Sequence, residues 1–348
     1  MKYLSYILSV LLVVVLAIGC LDEIQLEVPA EEQDTVIIQG KLIKFNDHAR
    51  VDVQITNLFD FTPSSRQPVL VRSVELFESN GGYKMLERTD LNTYSVSIPL
   101  NDPEFLIDYG NEYWVRVVTF RDQVFISEPD MLLKVPQTEE LRFEYLPRNI
   151  DQDRDRVQYF LSGNIIDNVD NKKSRLRFFL KEAYRVTDCE MKTCYVENIT
   201  NLNNVRTLDG NESASDGYSD FEIHDVQVSA FFAEGHYFSV FTESLSDAAF
   251  RYWNEASSLV FRTGNMFEEP VGTQFSNFRP EDPESNDNVF GFFYATEIDT
   301  IRVFVDSTLV GTPRMACPPL KEKRPGCLPC CDCLGLTNSS LVKPDFWE

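Results

Sequence analysis

The chain has 348 residues, with 55 acidic against 32 basic side chains and a formal net charge of −23. So acidic a chain excludes nucleic acid as a partner, because phosphate binding needs a basic face. At 43% hydrophobic residues it carries ample apolar material for a folded core.

Met1-Lys2-Tyr3 is a short basic start, and Leu4 to Ile18 form an apolar run that ends at Gly19-Cys20, the build of a secretory signal segment. The run is shorter than the roughly 20 residues that span a bilayer, and acidic residues (Asp22, Glu23, Glu27) follow it, so a retained spanning helix is the weaker reading. Leu16-Ala17-Ile18-Gly19-Cys20 resembles the bacterial lipobox, with Ala17 where Leu is commoner. That resemblance implies removal of residues 1–19 and acylation of Cys20, which makes outer-membrane lipid the first expected partner. Leu21-Asp22-Glu23 resembles the acidic tag that sends lipoproteins of the Bacteroidota to the cell surface. The expected localisation is therefore the outer membrane, lipid-anchored and facing the exterior.

Residues 20–33 read as an extended tether. From 34 to 135 the apolar residues alternate with period two, predicting strands over 35–42, 49–56, 69–78, 83–88, 93–98, 112–120 and 123–127. Asn80-Gly81-Gly82, Asp90-Leu91-Asn92 and Tyr109-Gly110-Asn111 supply the turns between them. Seven short strands at this spacing predict an immunoglobulin- or fibronectin-like sandwich.

Pro136 to Glu140 reads as a linker, and a second β-rich domain is expected over 141–316. Leu141/Phe143/Tyr145, Val157/Tyr159/Leu161 and Leu176/Phe178/Leu180 alternate there, and later strands are expected at 221–229, 236–242, 289–295 and 301–305. Ser246 to Ala256 breaks the pattern: it opens on cap-forming residues and sets Ala249, Phe250, Trp253 and Leu259 at helical spacing. One helix packed on a sheet by an aromatic stripe is the expectation. Residues 317–348 form a tail rich in cysteine and proline.

Thr35-Val36-Ile37-Ile38-Gln39-Gly40, Tyr252-Trp253, the stretch from Phe267 to Asn277, Val289-Phe290-Gly291-Phe292-Phe293-Tyr294-Ala295 and Lys343-Pro344-Asp345-Phe346-Trp347 occur in that order. Together they resemble a family of Bacteroidota outer-membrane lipoproteins defined by a domain of unknown function, the type numbered 4249. The resemblance implies an immunoglobulin-like domain followed by a second β domain, and genes that lie beside TonB-dependent receptors. It implies no catalytic residue.

In an exported chain cysteines favour bridges over zinc. Cys189 and Cys194 are close enough for a hairpin disulfide, the first expectation for that pair. Cys317, Cys327, Cys330, Cys331 and Cys333 could form two disulfides with one thiol left over, or hold zinc through Cys327-Leu328-Pro329-Cys330 and Cys331-Asp332-Cys333; bridges that staple the proline-rich tail to the second domain are favoured. Asp151, Asp153 and Asp155 alternate as in a calcium loop, yet Arg156 stands where such a loop needs Gly, so a solvated turn is favoured. Asp34-Thr35-Val36, Asp299-Thr300-Ile301 and Asp306-Ser307-Thr308 resemble a Bacteroidota O-glycosylation sequon at Thr35, Thr300 and Ser307.

His48, His224 and His236 stand in no metalloenzyme spacing, and neither a serine elbow nor a phosphate-cradling glycine loop is present. The function expected is that of a non-enzymatic, cofactor-free outer-membrane lipoprotein, an accessory to a TonB-dependent receptor or other outer-membrane barrel. A glycan- or peptide-capturing lipoprotein with Tyr252, Trp253, Phe292 and Phe293 as its platform is the second reading. A hydrolase using paired carboxylates is the third.

Overall fold

The computed structural model describes residues 35–57, 69–149, 154–167, 169, 171–200, 205–260, 275–317 and 332–348. The fold is mainly β. In chain order the strands are β1 (Val36–Lys44), β2 (His48–Asn57), β3 (Val71–Glu78), β4 (Tyr83–Met85), β5 (Glu87–Arg88), β6 (Thr93–Pro99), β7 (Glu112–Thr119), β8 (Val124–Ser127), β9 (Asp130–Met131) and β10 (Thr138–Leu146). They continue as β11 (Arg156–Asn164), β12 (Arg175–Thr187), β13 (Thr193–Ile199), β14 (Arg206–Asp209), β15 (Gly217–Gln227), β16 (His236–Leu245), β17 (Phe278–Pro280), β18 (Val289–Val305) and β19 (Ser339–Ser340). Helix α1 (Asp247–Val260) follows β16.

The first sandwich forms as the alternation predicts. Val51, Val53 and Ile55 of β2 face Tyr113, Val115 and Val117 of β7 across a core in which all six are fully buried. Tyr113 donates its hydroxyl hydrogen to the Leu106 carbonyl at 2.8 Å and accepts from Asp108 N at 2.9 Å. That bond, thrown back onto the preceding loop at the start of a strand, is the tyrosine corner of immunoglobulin-like sandwiches.

One sheet of this sandwich does not end at its own domain. The order β19-β13-β12-β16-β18-β1-β2-β6-β5 makes a ten-stranded sheet, with β14 also paired to β12. The 17-residue β18 holds it together: Val289 to Glu297 run parallel to β1, and Ile298 to Val305 run antiparallel to β16. Residues 278–297 thus supply Phe278, Val289, Phe293 and Ala295 to the first core. The polar stretch Thr296 to Thr300, which separates two expected strands in the sequence, continues one strand because its carboxylates are used. Glu297 accepts from Tyr109 Oη at 2.6 Å and Val135 N at 3.0 Å, and Asp299 accepts from Thr138 N at 2.9 Å.

That last bond also corrects the expected linker, since Thr138 is already in β10, is 7% exposed, and meets Thr242 hydroxyl to hydroxyl at 3.2 Å. The three-stranded sheet β10-β11-β15 covers the other half of the large sheet, with Tyr159, Leu161, Phe178, Phe238 and Val240 between them. On β18 the residues of both cores are odd-numbered: Phe293 and Ala295 in the first, Ile301, Val303 and Val305 in the second. Both cores therefore lie on one face of the shared sheet. Phe292 and Tyr294 point to the opposite face, where α1 packs.

The helix starts where expected. Ser246 Oγ accepts from Ala249 N at 3.1 Å, satisfying one of the free first-turn donors, and its hydroxyl hydrogen bonds the Asp130 carboxylate. Ala249 and Tyr252 are buried, Phe250 and Trp253 half-buried; the side chain of Leu259 lies outside the described residues. The apolar side of a single helix meets the outer face of the sheet at the joint between the two cores.

Candidate functional site

Between α1 and the outer face of the sheet lies a cleft of about 390 Å³. Gln39 and Lys41 of β1, Asp52 and Gln54 of β2 and Arg177 of β12 line it with polar groups, and Tyr252, Trp253, Phe292 and Tyr294 form its aromatic wall. Its position follows from strand alternation: Ile38 and Leu42 enter the first core, which turns Gln39 and Lys41 outward. Tyr252 stacks on Phe292 with centroids 4.4 Å apart, and Trp253 meets Tyr294 edge-on at 6.1 Å.

The charges at the base of the cleft are fixed by a buried cross-strand pair. Arg177 and Glu243 are register partners on β12 and β16, and Arg177 Nη1 lies 2.8 Å from Glu243 Oε2. Lys41 Nζ reaches the other oxygen at 3.4 Å. Burial works to raise the pKa of Glu243, but the Arg177 and Lys41 charges outweigh it and hold the carboxyl below its ordinary range. Arg177 also sits over the Trp253 ring, 3.5 Å from its centroid, while its Nε is buried without a hydrogen-bond partner among the described residues. Two cations thus share one buried carboxylate beneath an aromatic wall, Asp52 lines the cleft beside them, and one buried guanidinium N–H is without a partner among the described residues.

A second cluster lies between the sheets of the second core. His236 Nε2 is 3.3 Å from Glu182 Oε2, with His224, Asn198, Thr200 and Asn338 around a cavity of about 510 Å³. Burial tends to raise the pKa of Glu182 and is outweighed by the His236 hydrogen bond and charge; burial lowers that of His224. His48 instead hydrogen-bonds its neighbour Asp47 at 2.7 Å. Sequence spacing could not bring Glu182 to two histidines, because register and sheet packing do so.

The cysteines pair differently from the hairpin expectation. Cys194 is bridged to Cys333, with Cα atoms 5.9 Å apart, so no Cys189–Cys194 disulfide forms. Both sulfurs are buried, beside Tyr184, Val186, Val196 and Cys317. Cys194 lies on the inward side of β13, which aims it at the tail and not back along its own hairpin. Cys317 is disulfide-bonded as well. A bridged Cys333 cannot serve as a zinc thiolate; Cys327, Cys330 and Cys331 lie outside the described residues, as do Cys20, Asp151 and Asp153.

Asp155 closes a turn, accepting from Arg148 N at 2.7 Å, and among the described residues no three His, Cys, Asp or Glu side chains converge as a metal set. Thr35 is 1% exposed, so its hydroxyl is enclosed where β1 begins; Thr300 and Ser307 are half-buried. Of the four expected platform rings, Phe293 faces the first core, Tyr252 and Phe292 are buried against each other, and Trp253 stands at the cleft wall. Among the described residues no helix is long and apolar enough to cross a membrane.

The family model described as a domain of unknown function (DUF4249) matches residues 22–302. The chain belongs to this family. The match takes in the first core, the cleft and the second core as far as Ile301, and stops within β18, ahead of the stapled tail. No curated protein matches the chain. Arg177, Glu243 and Lys41 carry the site, yet Arg177 reads in the sequence as an ordinary solvent-side residue between Leu176 and Phe178. Glu243 has no signal at all, because nothing in Thr242-Glu243-Ser244 announces a buried charge.

Proposed function

We propose that this DUF4249 member is a non-enzymatic lipoprotein of the outer membrane, anchored through Cys20, facing the cell exterior, and acting as the ligand-capturing accessory of an outer-membrane barrel. The cleft beside α1 carries the reading: a concave site with an aromatic wall, amide side chains and charged groups at its base has the features of a pocket for a small polar ligand. Glu243 supports binding over catalysis, since a carboxylate claimed by two cations is a poor general base. The anchor and the barrel partner rest on the lipobox and on the family resemblance.

Recovery of the intact lipoprotein through its C-terminus in mild detergent tests the partner, and an outer-membrane barrel should come with it. The cleft is tested with Gln54→Trp, which fills it. A soluble glycan or peptide ligand found for the wild type should bind at least tenfold more weakly to this variant. Recovery of the lipoprotein alone would remove the accessory role, and unchanged ligand affinity would remove the cleft.

A further inference from the structure

The outer face of the large sheet continues beyond the cleft, and strand register sets out its surface in rows. Arg177, Glu243 and Ile298 are neighbours across β12, β16 and β18; two residues on come Phe179, Phe241 and Thr300. The third row is Lys181, Ser239 and Arg302, and the fourth is Ala183, Tyr237 and Phe304. At about 7 Å per two residues the four rows span about 20 Å. One end is the cleft wall at Trp253 and the other is Trp347, which packs on Tyr237 with ring centroids 5.0 Å apart.

Cations and rings alternate along this strip. Lys181 Nζ lies 5.8 Å from the Phe179 centroid and 5.4 Å from that of Phe241, and Arg302 lies 5.7 Å from Phe241 and 4.6 Å from Phe346. Neither Lys181 nor Arg302 forms a salt bridge among the described residues, although the charge of Glu197 reaches Arg302. The four rows hold three cations against one carboxylate that Lys41 claims too, and the flanking Glu197 of β13, beside Ala183, brings a second carboxylate to the end of the strip. In a chain with 55 acidic and 32 basic side chains, the two middle rows of this strip hold Lys181 and Arg302 and no carboxylate, so the strip is locally basic at its centre.

We propose that this strip is a binding track for an acidic polysaccharide, with sugar rings lying on Phe179 and Phe241 and uronate carboxylates on Lys181 and Arg302; it rests on the capture reading and names its ligand class. Half-buried aromatic faces offer the apolar contact that a sugar ring presents. Lysine and arginine supply charge-assisted hydrogen bonds to carboxylate, and Arg302 can do so with two parallel donors. β16 is paired along both edges, and the outer edge of β12 lies outside a ladder only at Phe179 and Leu180, between those of β14 and β13, a gap too short for an added strand; recognition over Phe179 and Phe241 therefore comes from side chains. An acidic peptide, whose strongest offer to a sheet is its main chain, gains nothing there as an added strand.

The test titrates the mature lipoprotein in detergent with galacturonate oligomers at two salt concentrations, with dextran oligomers and poly-glutamate as comparators. Galacturonate should bind, more weakly at higher salt, and should lose about tenfold in affinity in Lys181→Gln/Arg302→Gln. Phe241→Leu should also weaken it while leaving the thermal unfolding of the protein unchanged. Absence of galacturonate binding, equal affinity in the charge variant, or poly-glutamate binding as tight as galacturonate would each overturn the track, the last by assigning the face to acidic peptides. Gln54→Trp separates the two readings: loss there with retention in the charge variant leaves the cleft and removes the track, and the reverse removes the cleft and leaves the track.

Discussion

Cys194 of β13 is covalently joined to Cys333, 139 positions later, and through that bond the last residues of the chain are held against β13 in a small apolar cluster of their own with Tyr184, Val186 and Val196. Val196 pairs with Ser339 beside it, and Trp347 docks edge-on against Tyr195 at 5.2 Å. In the chain-entropy view a loop of this length stabilises the fold by about 5 kcal/mol, an upper figure. Reduction, or Cys194→Ser, should lower the urea midpoint and open residues 332–348 to protease before the strands of either core are cut. Equal cleavage of the tail with and without reductant would show that the bridge is not what holds it.

Asp130 links the two halves, receiving hydrogen bonds from Ser246 and from Ala295 N while only 3% exposed. Burial pushes its pKa up to about 7 from 3.8, the two hydrogen bonds opposing without prevailing. Because the folded pKa is raised, the stability tied to this proton is complete below about 3.8 and is lost as pH rises through about 7. Relative to Asp130→Asn, the wild type should lose on the order of 2–4 kcal/mol between pH 4 and pH 8, read from urea unfolding at each pH. Parallel profiles for the two proteins would rule this out.

Glu243 is 1% exposed and pairs with both Arg177 and Lys41. Glu243→Leu should cost about 3–5 kcal/mol, since it strands a buried guanidinium. Adding Arg177→Met should restore most of that loss, because removing both charges removes the desolvation they share. A single variant as stable as wild type would mean that solvent reaches Arg177 freely.

Gly291 sits opposite Ile38 at φ +139°, and a Cβ there would stand 1.7 Å from the Ile38 carbonyl oxygen. Gly291→Ala should break the parallel pairing of β18 with β1 at that point, at a cost of about 3 kcal/mol or more. Gly110→Ala is the control: its φ is also positive, but nothing lies within 4 Å of the added carbon. The strain alone should cost it about 1 kcal/mol. Similar losses for both would trace the effect to backbone strain and not to the contact with β1.

Much of the fold is legible in the sequence because most strands have one buried and one solvated face. Val51/Val53/Ile55 and Leu176/Phe178/Leu180 declare their sides by alternation, and Ser246 declares the start of α1. Val289 to Ala295 does not declare a side, because the sandwich covers one face of that segment and α1 the other. A strand covered twice reads as a continuous apolar run. Phe293 could thus be grouped with Phe292 on a platform while pointing the opposite way. The Cys194–Cys333 bridge and the Arg177–Glu243 pair are products of register between distant segments, which local spacing does not encode.

β1 is paired over nine positions with β18 on one side and over nine with β2 on the other. A pull on the chain ahead of Val36 therefore runs along the axis of a strand clamped between two neighbours. Such a load strains two ladders of hydrogen bonds in shear, all at once, where a strand peeled from an edge would give way one bond at a time. β18 passes that load on to both cores, so a force applied ahead of Val36 is spread across the shared sheet before any single strand yields.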